Sequence, residues 1–344
     1  MQEIPFASII MPVRNEADFI EQAVQSILDN DYPTESMEVL VIDGMSNDGT
    51  REIIEKSSSA DARIKLLDNP RRIVPAAMNI GIKAAKGEVF IRIDGHAKIP
   101  RDFIRKSIEC LNEHPDAWVV GGYIETVADN YIGGAIASAM RSPIGVGNAR
   151  FRMGGYEGWV DTLAFGTHHK WVVDKVGYFD EELVRNQDDE FNLRIILAGG
   201  KIWMSKSIHS TYFSRTSLSK LWKQYFQYGF WRVRTLQKHK RPATLRQLVP
   251  LLFVLSILLL GMAGFLNRFF WFLLETEMIF YVMGLFVGAS IVGCQSGWRF
   301  APIAPLVFVI LHFAYGLGSV WGVIRFLIFK NRGMREPEEM QMSR

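Results

Sequence analysis

Residues 88–101 read Glu-Val-Phe-Ile-Arg-Ile-Asp-Gly-His-Ala-Lys-Ile-Pro-Arg. The apolar run 89–93 has the length and bounds of a buried strand. It ends in Asp94, Gly95 and His96. Gly95 lets the backbone turn tightly, so a carboxylate and an imidazole can face one small volume. Hard cations that bridge phosphates take oxygen ligands, and imidazole also suits ions such as Mn2+. Standing alone, the triplet reads as an ordinary polar turn at a strand end. The chain on either side decides between the two readings.

Upstream, strand-like and helix-like stretches alternate. Residues 6–11 are apolar and stop at Pro12. Residues 17–28 place Ala17, Ile20, Ala23, Val24, Ile27 and Leu28 at helical spacing. A second buried strand is predicted over 37–42, with a polar loop from Asp43 to Thr50 after it, then a helix over 50–56 and a strand over 63–67. An Ala-rich helix follows over 74–85, with Pro75 acceptable in its first turn. The fold predicted is α/β, a doubly wound and mainly parallel sheet. Such sheets bind ligands at the carboxyl ends of their strands. Residues 12–16, 43–49 and 94–96 all lie at such ends and are expected to converge, with the 94–96 turn holding a divalent cation on a nucleotide diphosphate. Two further readings stay open: Asn15 as a helix N-cap, and Asp43 as either an Asx-turn or an acceptor for an imide N–H such as that of uracil. No G-x-G-x-x-G pattern follows the first strand, which disfavours a dinucleotide fold.

The 344 residues carry a formal net charge of +3, but the charge is unevenly spread. Residues 206–246 contain no Asp or Glu, while Lys206, Arg215, Lys220, Lys223, Arg232, Arg234, Lys238, Lys240, Arg241 and Arg246 are basic. Residues 247–329 carry only Arg268, Glu275, Glu277, Arg299 and Arg325. A polar domain, a basic belt and then apolar segments is the order of a cytosolic domain tethered to a membrane. The expected division is a catalytic domain over 1–215, a basic amphipathic interfacial helix over 216–246, a membrane domain over 247–330 and a polar tail over 331–344. Three membrane segments are predicted, at 248–266, 278–294 and 301–329. Glu275 and Glu277 are expected at the membrane interface. Three full spans leave the tail outside, yet Lys330, Arg332 and Arg335 favour inside, so one segment is a candidate for a re-entrant or surface position. Cys110 and Cys294 offer neither a disulfide framework nor zinc spacing. Residues 5–12 are short, follow an acidic residue and read as a strand, not a signal peptide.

The motifs Pro12-Val13-Arg14-Asn15-Glu16, Asp43-Gly44-Met45-Ser46-Asn47-Asp48-Gly49-Thr50, Asn79-Ile80-Gly81 and Asp94-Gly95-His96 resemble the ordered signatures of the family 2 glycosyltransferases of the GT-A fold. The resemblance runs from about residue 6 to 232. It is strongest to membrane-bound exopolysaccharide glucosyltransferases of the succinoglycan type, which also read Asp-x-His where most of the family reads Asp-x-Asp. It implies a UDP-sugar donor and a divalent cation, Mg2+ or Mn2+. Asp43 would bind uracil, Arg14 and Glu16 the nucleoside, Asp94 the ribose or diphosphate, and His96 the metal. Pro12, Ser46 and Asn79 join the nucleotide-sugar site, and Asp94 is shared with the metal.

Downstream, a helix is expected over 101–114 and a strand over 117–120. Residues 142–158 are Gly-rich with Arg141, Arg150 and Arg152 nearby, and read as a gate on the acceptor side or as a surface loop. A strand is predicted over 160–166, and His168 and His169 open a helix to Val176. Adjacent histidines cannot share a helix face, which disfavours a metal pair. The second chemical cluster is Asn186-Gln187-Asp188-Asp189-Glu190 at the start of a helical stripe. Acids there are stabilised by the helix dipole, so capping is one reading. General base catalysis is the other, since a sugar hydroxyl needs a carboxylate to take its proton. The family pattern is Glu-Asp with an Arg six residues on. Aligned on Arg194, the base is Asp188, with Gln187 in the Glu position and Asp189 as competitor. Inversion of the sugar follows from the resemblance.

Strands are expected over 202–205 and 208–213. Residues 218–236 interleave aromatics and bases, as a helix in the headgroup layer does; the hydrophobic segments after it argue against nucleic acid. Its 224–232 stretch resembles the Gln-x-x-Arg-Trp region of processive synthases with altered spacing, which places Gln224 and Trp231, with Asp189, near the acceptor. Arg215 is a candidate contact to the diphosphate. The reading is an inverting glycosyltransferase acting on a hydroxyl of a polyprenyl-diphosphate-linked saccharide, glucose being the first guess for the sugar. A polyprenyl-phosphate sugar synthase and a non-catalytic nucleotide-binding membrane protein are the alternatives.

Overall fold

A computed structural model describes residues 4–147, 149–213, 217–242 and 244–329. The chain divides into two compact units: residues 4–125 with Gly154–Phe213, and Thr126–Met153 with residues 217–329. The sequence reading placed 126–153 in the catalytic domain. These residues join the C-terminal helices because Tyr131–Met140 is an apolar helix whose Ala135, Ile136, Ala139 and Met140 are buried in one cluster with Phe300, Phe308 and Leu311.

The sheet of the first unit is built from β1 (Ala7–Val13), β2 (Met37–Asp43), β3 (Ile64–Asp68), β4 (Val89–Arg92), β5 (Ala97–Lys98), β6 (Ala117–Val127), β7 (Gly158–Val160), β8 (Thr167–His169) and β9 (Lys201–Phe213). Their order is β3-β2-β1-β4-β8-β6-β9-β5, with β7 on β9. β1 runs parallel to β2 and β4, and β2 parallel to β3. β8 is antiparallel to both β4 and β6. The parallel half follows from the alternation of strands and helices. Every residue of β1 and β2 is buried, as parallel strands covered on both faces require. The helix Val74–Ala84 packs on them so closely that a Cβ on Gly81 would lie 2.5 Å from Ile10 Cγ2.

Several elements differ from expectation. His168 and His169 belong to strand β8, and the helix after them is Trp171–Val176. The strand after the Gly-rich stretch is only Gly158–Val160, and that stretch forms two short helices, Pro143–Val146 and Arg150–Met153. β6 runs seven residues beyond the predicted end at 120, and the two strands expected over 202–213 are one, β9.

Among the described residues of the second unit, three helices are long and apolar enough to cross a membrane: Leu245–Gly264, Arg268–Ser296 and Ala304–Ile328. The second is longer than predicted and takes in both acids. Ser256 Oγ donates to Glu277 Oε1 at 2.5 Å, which places Glu277 against another helix. The helix Leu218–His239 also departs from the picture of a lone surface helix. Gln224, Trp231, Arg232 and Arg234 are buried in it, and a Cβ on Gly229 would lie 1.9 Å from the Tyr315 carbonyl oxygen.

Candidate active site

The ends of β1, β2 and β4 are tied together by named bonds. The Gly44 amide donates to the Val13 carbonyl at 2.8 Å, the Asn15 amide to Ser46 Oγ at 2.9 Å, and the Glu16 amide to Thr50 Oγ1 at 2.7 Å. Asn15 has a φ of 54° and its side-chain oxygen accepts from the Asn47 amide. It therefore bridges two loops and is not an N-cap; the helix starts at Ile20. Asp48 accepts from the Ala17 and Thr50 amides and from Thr50 Oγ1. Burial raises its carboxyl, but these donors outweigh it and hold it below the usual carboxylate range. Gly95 closes the set. A Cβ there would lie 2.8 Å from Val13 Cγ1 and 3.2 Å from Glu16 Cγ, so only glycine lets the Asp94–His96 turn reach the end of β1.

That approach puts His96 Nδ1 3.0 Å from Glu16 Oε1, with both side chains buried. An ionised carboxylate only accepts, so Nδ1 is the donor, and in the neutral ring that tautomer leaves the lone pair on Nε2. Nε2 is buried and has no hydrogen-bond partner. A carboxylate-oriented imidazole with its second nitrogen open is the arrangement of a metal ligand. Among the described residues no group of three or more His, Cys, Asp and Glu gathers as a metal cage. The site fits an ion that takes one or two protein ligands and completes its shell with phosphate oxygens and water, as Mg2+ does.

Arg92, the last residue of β4, pairs with Asp94 and feels the charge of Asp188. Its Nε donates to Asp94 Oδ1 at 2.9 Å, and its Nη2 lies 3.3 Å from Oδ2. It is buried in an otherwise apolar strand. Burial pulls the guanidinium down, but the charges of Asp94 and Asp188 outweigh it and hold it above its ordinary value. Asp188 is half-buried in the first turn of the helix Gln187–Leu197, where its Oδ1 accepts from the Asp189 amide at 2.9 Å. The helix is set by Arg194, which binds Glu190 at 2.8 Å and caps the carbonyls of Val176, Gly177 and Tyr178. At the end of β2, Asp43 is fully buried and accepts from the Ser46 amide and hydroxyl and from Arg51. Arg14 is pulled below its ordinary value by burial and by the positive charge of Arg72, which Asp43 only partly offsets.

Residues 8–154 match the model of glycosyl transferase family 2. The chain is 31% identical over 318 residues to the succinoglycan biosynthesis protein ExoA of Rhizobium meliloti, covering 90% of this chain and 92% of that protein. The chain belongs to glycosyl transferase family 2. It is also 28% identical, over 93% of its length and 98% of the relative, to a dolichyl N-acetyl-alpha-D-glucosaminyl phosphate 3-beta-D-2,3-diacetamido-2,3-dideoxy-beta-D-glucuronosyltransferase of Methanococcus voltae. Among solved structures, a mannosyltransferase of Pyrobaculum calidifontis in complex with GDP-Man and Mn2+ is similar, with a TM-score of 0.59 and 17% identity over 93% of this chain and 88% of that one. TarS of S. aureus in complex with UDP-GlcNAc gives 0.51 and 17% over 91% and 90%. The fold is GT-A, and the protein is a glycosyltransferase.

Within this glycosyltransferase the expected site residues separate. Arg14, Glu16, Asp43, Ser46, Asp94 and His96 lie on the joined strand ends, Pro12 is buried within β1, and Asp188 shares the field of Arg92 with Asp94. Asn79 is corrected. Both its amide hydrogens are taken, by the Phe179 carbonyl at 2.9 Å and Glu181 at 2.7 Å, and its oxygen accepts from the Phe179 amide. It anchors the chain leading to Asp188. Asp189 accepts from Thr162 Oγ1 at 2.7 Å, which turns it into the protein. Trp231 is buried against Phe230 and Phe326, and Gln224 is buried and donates to Tyr228 Oη, so neither presents itself to an acceptor. Arg215 lies outside the described residues. Arg92 and the Glu16–His96 pair were missed. The signal for Arg92 was present: a charged residue inside an apolar strand requires partners.

Proposed function

We propose that this glycosyltransferase transfers a sugar, glucose being the first candidate, from a UDP-sugar to a hydroxyl of a polyprenyl-diphosphate-linked saccharide, with inversion, in exopolysaccharide or cell-surface glycan assembly. The observation that carries the reading is buried Arg92, which pairs with Asp94 at 2.9 Å and feels the charge of Asp188, so one cation serves both proposed carboxylates. Asp188 takes the proton of the acceptor hydroxyl as its oxygen bonds to the anomeric carbon, and the bond from that carbon to the diphosphate breaks. Asp43 and Arg14 receive the uridine, with Ser46 fixing the Asp43 carboxylate. His96 through Nε2, with Asp94, would hold Mg2+ or Mn2+. The ion, when bound, offsets charge on the departing diphosphate. Glu16 orients His96.

The names of the relatives support glycan assembly, and the apolar helices with the adjoining basic belt support a membrane enzyme whose catalytic unit faces the cytosol. Asp188 also favours a hydroxyl acceptor over bare polyprenyl phosphate, since an anionic nucleophile needs no base. Asp188→Asn is expected to lower transfer by a factor on the order of 100 or more while UDP binding persists; unimpaired transfer removes Asp188 as base. Membranes offered a panel of UDP-sugars, with mass analysis of the extracted lipid product, identify the sugar. Product from bare polyprenyl phosphate would select the synthase reading instead.

A further inference from the structure

We propose that only two of the three long apolar helices cross the membrane, and that Ala304–Ile328 lies in the headgroup layer as the partner of the basic helix Leu218–His239. The inference rests on the membrane reading of the second unit and not on the donor, the base or the metal.

The basic helix accompanies the third apolar helix from Tyr315 to Phe326. A Cβ on Gly318 would lie 2.0 Å from the Phe226 carbonyl oxygen, and one on Gly322 would lie 2.8 Å from that of Phe230. Farther on, Gln237 Nε2 donates to the Phe326 carbonyl at 2.9 Å. Partner numbers rise together, so the two helices run parallel with backbones in near contact. If Ala304–Ile328 crossed the bilayer, it would carry its companion with it. That companion exposes Lys220 and Lys223, buries Arg232 and Arg234, and ends in Lys238 and His239. Bases at the bilayer centre are strongly disfavoured. On the surface the same helix is well placed, with Lys220 and Lys223 flanking the exposed Trp222.

The other two long helices behave differently. Val249–Gly264 and Arg268–Ser296 form an antiparallel hairpin, joined by Ser256 with Glu277, by Phe253 with Tyr281 at 4.6 Å, and by Phe265 with Trp271 at 5.8 Å. The third helix meets this hairpin through Gly316 on Pro250 and Val254, Phe313 on Phe253, His312 on Tyr281, and Phe308 on Gly288. These points lie away from the hairpin tip, where Phe265 and Leu266 are 85% and 88% exposed. Half of the third helix's apolar window is buried inside the protein, against 11% for the first helix. Its exposed Leu306, Leu317, Trp321, Leu327 and Ile328 fall within about 120° of one another around the axis, a single apolar stripe. A buried side, a basic companion and one apolar stripe describe a helix lying on lipid. A two-span chain also places the bases up to Arg246 and those at Lys330, Arg332 and Arg335 on one side, which removes the charge conflict of three spans.

The test uses the full chain, tagged in turn at each terminus with a compartment-sensitive reporter. A variant Leu266→Cys in a Cys294→Ser background adds a thiol at the hairpin tip, the remaining Cys110 being buried. Both termini are expected on the cytosolic side, and an impermeant maleimide is expected to reach the tip thiol only from the opposite side. Termini on opposite sides, or a tip thiol labelled from the side of the termini, would overturn the proposal. Neither readout depends on sugar transfer, so the topology and the reaction fail separately.

Discussion

His168 links the stability of the catalytic unit to pH. Its ring is buried, stacked on Phe90 at 4.6 Å and edge-on to Phe191, and its Nδ1 has no partner. Burial pushes it down to about 3, and the nearby Arg92 charge adds to the shift. The folded protein thus keeps His168 neutral, while the unfolded chain protonates it below about 6.5. Folded stability from this residue is complete above about pH 6.5 and is lost as pH falls toward 3, because the unfolded state binds the extra proton. At 1.36 kcal/mol per pH unit, the loss is about 2 kcal/mol by pH 5. For a unit of this size that is roughly 4–8 °C in Tm. His168→Phe keeps the stack and removes both the titration and an unsatisfied nitrogen. Thermal unfolding of the full chain in detergent at pH 7.5 and 5 is the assay. The Tm of the wild type minus that of the variant should fall by roughly that amount between the two pH values. An unchanged difference would mean that His168 is not held neutral in the fold.

Arg92→Met should remove the guanidinium that pairs with the Asp94 carboxylate and destabilise the catalytic unit by about 3–5 kcal/mol, read as a lower Tm. Arg92→Lys should recover part of that stability but not the two-point contact with Asp94, with transfer activity still reduced. Glu16→Gln should raise the divalent-ion concentration needed for half-maximal UDP release by about 10–100-fold, since His96 loses the carboxylate that fixes its tautomer. Gly229→Val should force Leu218–His239 away from the Tyr315 carbonyl and cost about 1–3 kcal/mol or more, read as a lower Tm of the full chain in detergent.

The parallel half of the sheet was legible because each strand is a short apolar run and each helix shows its spacing before residue 93. The convergence of Asp43, Glu16 and His96 was legible in position but not in bonding. Sequence order gives the strand ends, whereas Gly95 against Val13 and Glu16 is a distance across 80 residues. Asn79 shows the limit most clearly. It sits in a motif beside the site, yet its amide is consumed by the Phe179 backbone 100 residues later. His168 and His169 were read as a helix start because three strand residues carry no periodicity. Their strand state comes from pairing with β4 and β6. Tyr131–Met140 is apolar enough for either unit, and only its burial with Phe300 and Leu311 assigns it.

The two acidic clusters pose an electrostatic problem that the fold answers with few cations. The proposed reaction would bring a base carboxylate, a donor-side carboxylate and a nucleotide diphosphate together, and like charges at close range each suppress the ionised form of the others. A base that binds its proton too early cannot accept one from the acceptor. Arg92 brings a positive charge to Asp94 and Asp188 together, because a guanidinium stays charged even when buried and offers several donors in one plane. Arg14 and Arg72 stand near Asp43, where the anionic nucleotide is proposed to enter. Glu16 Oε1 lies 3.0 Å from His96 Nδ1, and the buried Nε2 of the same ring has no hydrogen-bond partner. On the proposed function, a His in place of the common second Asp removes one negative charge while offering a nitrogen ligand, and Glu16 is the carboxylate that orients it.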